Sequence, residues 1–103
     1  MTRPRLPRKR YPALADFVTG YLNQDVFDIY GSPAEAANAF RAEASVREVE
    51  AVYRDWLDFL DRTASLSAAE RRDLFARSFD PGWLPRSFRQ LTALFDHLGP
   101  DRR

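Results

Sequence analysis

The 103-residue sequence contains no cysteine. That excludes disulfides, thiolate zinc sites and cysteine nucleophiles together, and it fits a reducing compartment. Histidine occurs once, as His97, and glycine four times. There is no Gly-x-Ser-x-Gly elbow, no glycine-rich phosphate loop and no EF-hand spacing. No apolar run approaches the length of a membrane span and no signal-peptide core is present. No alternating run exceeds four residues, and no Asn-Gly or Asp-Gly hairpin signal occurs. These absences lead us to expect a soluble, cytoplasmic protein that is not an enzyme. It should need no cofactor or metal, take no small-molecule substrate and bind no membrane.

What is present is ordinary for a folded domain: 45% hydrophobic, 14% aromatic and 30% charged residues. A single domain of this size should bury roughly 65% of the surface that its unfolded chain exposes. The net charge is only +1, but charge is segregated along the chain. Residues 1–15 hold Arg3, Arg5, Arg8, Lys9 and Arg10 and no acid. Residues 16–45 hold Asp16, Asp25, Asp28, Glu35 and Glu43 against one base, Arg41. A near-neutral total can therefore conceal an acidic surface.

Residues 1–10, with Pro4, Pro7 and a run of bases, read as a flexible basic tail. Residues 11–98 read as one helical domain, and residues 99–103 as a short C-terminal tail. A first helix should start at Pro12, with Leu14, Phe17, Val18, Tyr21 and Leu22 forming an apolar stripe. Gly20 near its end suggests close packing. Ser32-Pro-Ala-Glu35, Ser45-Val-Arg-Glu48 and Ser67-Ala-Ala-Glu70 each read as a capping box, and Ser87-Phe-Arg-Gln90 repeats the pattern with glutamine.

These boxes predict helices over about 33–44, 46–63, 68–78 and 86–98. The longest carries Val49, Val52, Tyr53, Trp56, Leu57, Phe59 and Leu60, so it should be central. Asp80-Pro-Gly-Trp83 reads as a type II turn with Gly82 at positive φ. Gly99 reads as a left-handed helix stop before Pro100. The expected fold is all-α, a single compact bundle of about five helices.

Between the first two predicted helices lies Gly20–Pro33, fourteen residues with two aspartates, one glutamine, three aromatics and no lysine or histidine. Read as a connecting loop, it is where binding residues tend to sit. Tyr21, Gln24, Asp25, Asp28, Tyr30 and Glu35 are the candidates for contact with a basic partner. For Gln24 and Asp25, satisfying loop amides or capping the next turn is an equal reading. Asp28 and Glu35, on either side of Tyr30, suit exposed acids.

Asp55, Asp58 and Asp61 recur every third residue. They read first as a solvated helix face paired with Arg54 and Arg62, and second as an alternative interface. Trp56 and Trp83 read as core anchors, with Trp83 half-exposed as the alternative. His97 reads as a partner of the helix C-terminus or a solvated group. The basic tail could bind nucleic-acid phosphates, but no aromatic is interleaved before Tyr11, so nucleic acid is the secondary reading.

Tyr11-Pro-Ala-Leu14, Gly20-Tyr21 followed by Gln24-Asp25, and Tyr30-Gly-Ser-Pro-Ala-Glu35-Ala36 resemble the contact-dependent growth inhibition immunity proteins. The resemblance spans about residues 11–98. Asn23 stands where that pattern usually has histidine, and Val26 where an aromatic is frequent, so no role for that histidine carries over. The resemblance implies a small helical cytoplasmic antidote. It would bind the C-terminal domain of a cognate toxin, commonly a nuclease, by direct contact, and be monomeric when free. A nuclease site must attract phosphate and is therefore basic, which an acidic inhibitor surface matches. The alternative is a nucleic-acid-associated regulator that uses the basic tail.

Overall fold

Pro12 fixes the first turn of the chain's first helix, whose stripe of Leu14, Phe17 and Val18 must then find an apolar neighbour. The computed structural model describes residues 10–83 and 85–100. The helices are α1 (Pro12–Tyr21), α2 (Gln24–Tyr30), α3 (Pro33–Glu43), α4 (Val46–Arg62), α5 (Ala68–Phe79) and α6 (Phe88–Asp96). No strand forms among the described residues, and the all-α bundle expected from the sequence is what is observed. The basic tail before Arg10 and the end of the chain after Pro100 lie outside the described residues.

α1 lies along α4, α2 on α3, and α5 on α6, while α3 touches both α1 and α6. The core is aromatic. Trp56 on α4 stacks on Phe95 of α6 at 4.3 Å between ring centroids and on Phe59 at 5.5 Å. Phe75 of α5 meets Trp56 edge-on at 6.1 Å. Phe17 of α1 completes the cluster against Phe40 and Phe95. Such offset and edge-to-face pairs add about 0.5–1.5 kcal/mol each beyond the area they bury.

Helix ends show how the elements are fixed. Ser32, Ser45, Ser67 and Ser87 each accept from the backbone N–H three residues on. Only Ser67–Glu70 closes in both directions as a capping box. Gln90 instead accepts from the Arg86 N–H. α1 has no serine cap. Its Leu14 N–H donates to Asp55 Oδ2 of α4 at 3.1 Å, a cap supplied across the bundle. C-terminal carbonyls are met by arginines from other helices, the kind of base that suits a helix C-terminus. Arg71 donates to the Leu60 carbonyl and to the Thr63 hydroxyl. Arg41 donates to the carbonyls of His97 and Gly99.

Four local expectations are corrected. Residues 24–30, read as loop, form α2. Gly82 is not at positive φ, so no type II turn forms there; Asp80 at φ 46° takes the left-handed position that ends α5. Gly99 is not a left-handed stop either: a Cβ on it would lie 3.2 Å from the Tyr53 ring. Gly20 has nothing within 4 Å of the Cβ position, so close packing does not explain it.

Gly82 is needed for approach rather than for φ. Its N–H donates to the Leu22 carbonyl at 3.0 Å, and an added Cβ would lie 2.7 Å from Asn23 Cβ. This contact ties the α1–α2 junction to the segment after α5, beside the packing of Phe27 on Trp83 at 5.6 Å. Gly82→Ala should cost about 1–3 kcal/mol by overpacking. Thermal denaturation should show Tm lowered by roughly 5–15 °C; an unchanged Tm would mean the junction is loosely held.

Candidate functional site

α2 explains where the acidic segment points. Two of its side chains face the bundle: Phe27 on Trp83 and Tyr30 on Tyr21. One helical turn apart on the outer side, Asp25 and Asp28 are exposed, with Ile29 beside them at 75% exposure. Residues at i, i+3 and i+4 share a helix face, so two carboxylates flank one bare apolar side chain. Glu35, in the first turn of α3, is also exposed. Gln24 lies on α2, but its side chain is outside what the structure describes.

Tyr21 and Tyr30 are brought together and committed internally. Their rings stack at 6.5 Å, and both hydroxyls donate to Glu43, Tyr21 to Oε2 at 2.9 Å and Tyr30 to Oε1 at 3.1 Å. Desolvation by burial, followed by the Glu43 carboxylate, pushes the Tyr21 hydroxyl up to about 12. The hydrogen bond to Glu43 raises Tyr30 as well. Both therefore remain donors at neutral pH, and the two tyrosines hold Glu43 at the end of α3 in one orientation. Glu43 was not among the residues expected at the site. Its link to Tyr21 spans 22 positions, which no local pattern reports.

Beside Glu43, α1, the end of α3 and the start of α4 enclose a groove of about 490 Å³. Phe17, Tyr21, Phe40 and Val52 form its floor. Ala13, Ala44 and Ala51 leave the depression open by the smallness of their side chains. Asp16, Glu43 and Glu48 stand at its rim, all exposed, and among the described residues no arginine, lysine or histidine lines it.

The only base of residues 16–45, Arg41, donates to the carbonyls of His97 and Gly99 just beyond α6. All five acids of that segment, Asp16, Asp25, Asp28, Glu35 and Glu43, are exposed. The alternative face is used differently. Asp55 caps α1, Asp58 is exposed but salt-bridged to Arg62 at 3.0 Å, and Asp61 is exposed. The Asp58 carboxyl is held below its ordinary range first by the Tyr11 hydroxyl beside it and then by Arg62. Tyr11 itself is buried and completes no hydrogen bond of standard geometry; burial and Asp58 push it up to about 12.

Among the described residues, no group of three or more His, Asp or Glu side chains could hold a metal ion. No helix among them is long and apolar enough to cross a membrane. His97 is exposed, as expected, and Trp83 is half-buried against Phe27. The arrangement offers carboxylates and aromatics on fixed helices, which suits recognition of a cationic surface.

The family model for the CdiI immunity protein matches residues 10–95. No curated protein and no solved structure matched the chain.

Proposed function

Because the chain belongs to the CdiI immunity protein family, we propose that it neutralises its cognate toxin by direct contact through the negative surface of residues 16–45. The toxin domain it meets is basic, as a nuclease would be. One observation carries this reading: residues 16–45 present five exposed carboxylates against a single guanidinium, Arg41, which donates to the carbonyls of His97 and Gly99.

The contact face combines Asp25, Asp28 and Ile29 of α2 with Glu35 of α3. An apolar side chain flanked by two carboxylates gives both a buried anchor and electrostatic steering. Tyr21 and Tyr30 contribute by fixing Glu43, and Gln24 lies on the same short helix. Inhibition then consists of covering the toxin's basic surface, with no catalytic step and no cofactor, by a cytoplasmic protein that is monomeric when free.

The test is co-expression in a toxin-sensitive bacterium with the C-terminal domain of the cognate toxin. Cells should survive only when the chain is present and should die with an unrelated helical protein. Survival that persists when the two proteins fail to co-purify would defeat direct contact. The nucleic-acid reading makes a separate forecast: binding to duplex DNA that weakens steeply with salt.

A further inference from the structure

The groove between α1 and α4 points to something more specific than a negative surface. We infer that it is a socket for one arginine side chain of the toxin. This rests on the toxin-binding reading above and adds the chemistry of the occupant.

Three features define that chemistry. Phe17, Tyr21 and Phe40 supply an aromatic floor, on which a planar guanidinium stacks favourably. Asp16, Glu43 and Glu48 stand around it, with no cation among the described lining residues. Arginine presents five N–H donors in a fixed fork, which can reach two carboxylates at once, whereas a lysine ammonium is a strongly hydrated point charge. The volume of about 490 Å³ is enough for an arginine and the backbone that carries it, since small-ligand sites run from roughly 300 to 1,000 Å³.

The socket is also built in advance. Glu43 is held by two tyrosine hydroxyls at 2.9 and 3.1 Å. Ser45 accepts from the Glu48 N–H, which fixes the turn that carries the Glu48 side chain. A carboxylate already oriented loses less freedom when its partner arrives.

The test is a titration of the cognate toxin domain against the full chain and two variants. Ala51→Trp fills the groove without touching a charge. Glu43→Gln removes one charge and keeps the shape, which guards against a filled variant that fails to fold. Circular dichroism should show wild-type helicity for Glu43→Gln. Ala51→Trp should weaken binding about 30-fold or more, and Glu43→Gln about tenfold. In double-mutant cycles, one toxin arginine should couple to Glu43 by fivefold or more.

Wild-type affinity in both variants, together with loss of binding in Asp28→Lys/Glu35→Lys, would overturn the socket while leaving the toxin-binding reading intact. No wild-type binding would overturn both. Coupling to no toxin arginine would overturn the socket. Tighter binding after removal of residues 2–9 would assign the groove to the chain's own basic tail and overturn the proposal. A homodimer dispersed by Ala51→Trp would do the same in favour of a second copy.

Discussion

Trp56→Ala should destabilise the domain by about 3–5 kcal/mol. The ring is 1% exposed and stands at the crossing of α4, α5 and α6. Truncation removes its stacks on Phe95 and Phe59 and its edge contact with Phe75, and Phe88 at 5.9 Å loses its neighbour as well. Those partners belong to three helices, so they cannot all move into the void at once. A domain of this class has roughly 5–15 kcal/mol in total, so a large share of its stability would be lost. Urea unfolding followed by far-ultraviolet circular dichroism should show the midpoint falling sharply. A midpoint near that of wild type would mean that the aromatic cluster does not hold the bundle together.

Asp28→Lys combined with Glu35→Lys should abolish toxin protection while the helices remain. Both side chains are exposed, and exposed substitutions away from special features change stability by about 0.5 kcal/mol or less. Glu35 sits in the first turn of α3, where an acid suits the helix dipole, so its reversal adds a cost of about 0.3–1 kcal/mol. At the interface, the expected loss is about 2–5 kcal/mol, from repulsion where attraction was and from toxin cations left unpaired. Melting midpoint and toxin affinity should be measured on the same double variant. Unchanged affinity would move the contact away from α2 and the start of α3, to the groove or to the face carrying Asp61. A large fall in midpoint with protection retained would make these two acids structural.

Local chemistry made much of the fold legible. Serine caps at 32, 45, 67 and 87 mark the starts of four helices, because a hydroxyl accepting from an N–H three residues on is a local event. The wide stripe on α4 foretold a buried Trp56, since helical period alone places it with Val49, Val52 and Phe59. The family resemblance, carried by Tyr11–Ala36, agrees with the family match.

α2 was not legible. Val26, Phe27, Ile29 and Tyr30 favour extended backbone by propensity, no serine precedes the segment, and seven residues are too few to form a helix alone. Phe27 on Trp83 and Tyr30 on Tyr21 hold it, and both contacts are tertiary. Gly82 failed for a related reason. A glycine between Pro81 and Trp83 reads as a turn residue, but here its lack of a Cβ lets Asn23 approach.

The candidate site divides in the same way. Asp28 and Glu35 could be read as exposed acids from the sequence, whereas Asp25 had an equal reading as a loop or capping residue and proves exposed on α2. The pairing of Tyr21 and Tyr30 with Glu43 and the turning of Arg41 toward the end of α6 are tertiary contacts that no local pattern reports. Asp55 looked like one of three equivalent surface acids and proves to be the cap of α1.

The central claim is direct, charge-led capture of a basic toxin domain. Calorimetric titration of the purified chain into the cognate toxin domain, at low and at high salt, tests it most directly. The account predicts one-to-one binding tighter than micromolar, weakening as salt screens the carboxylates. Binding no tighter than micromolar, or an affinity indifferent to salt, would contradict it.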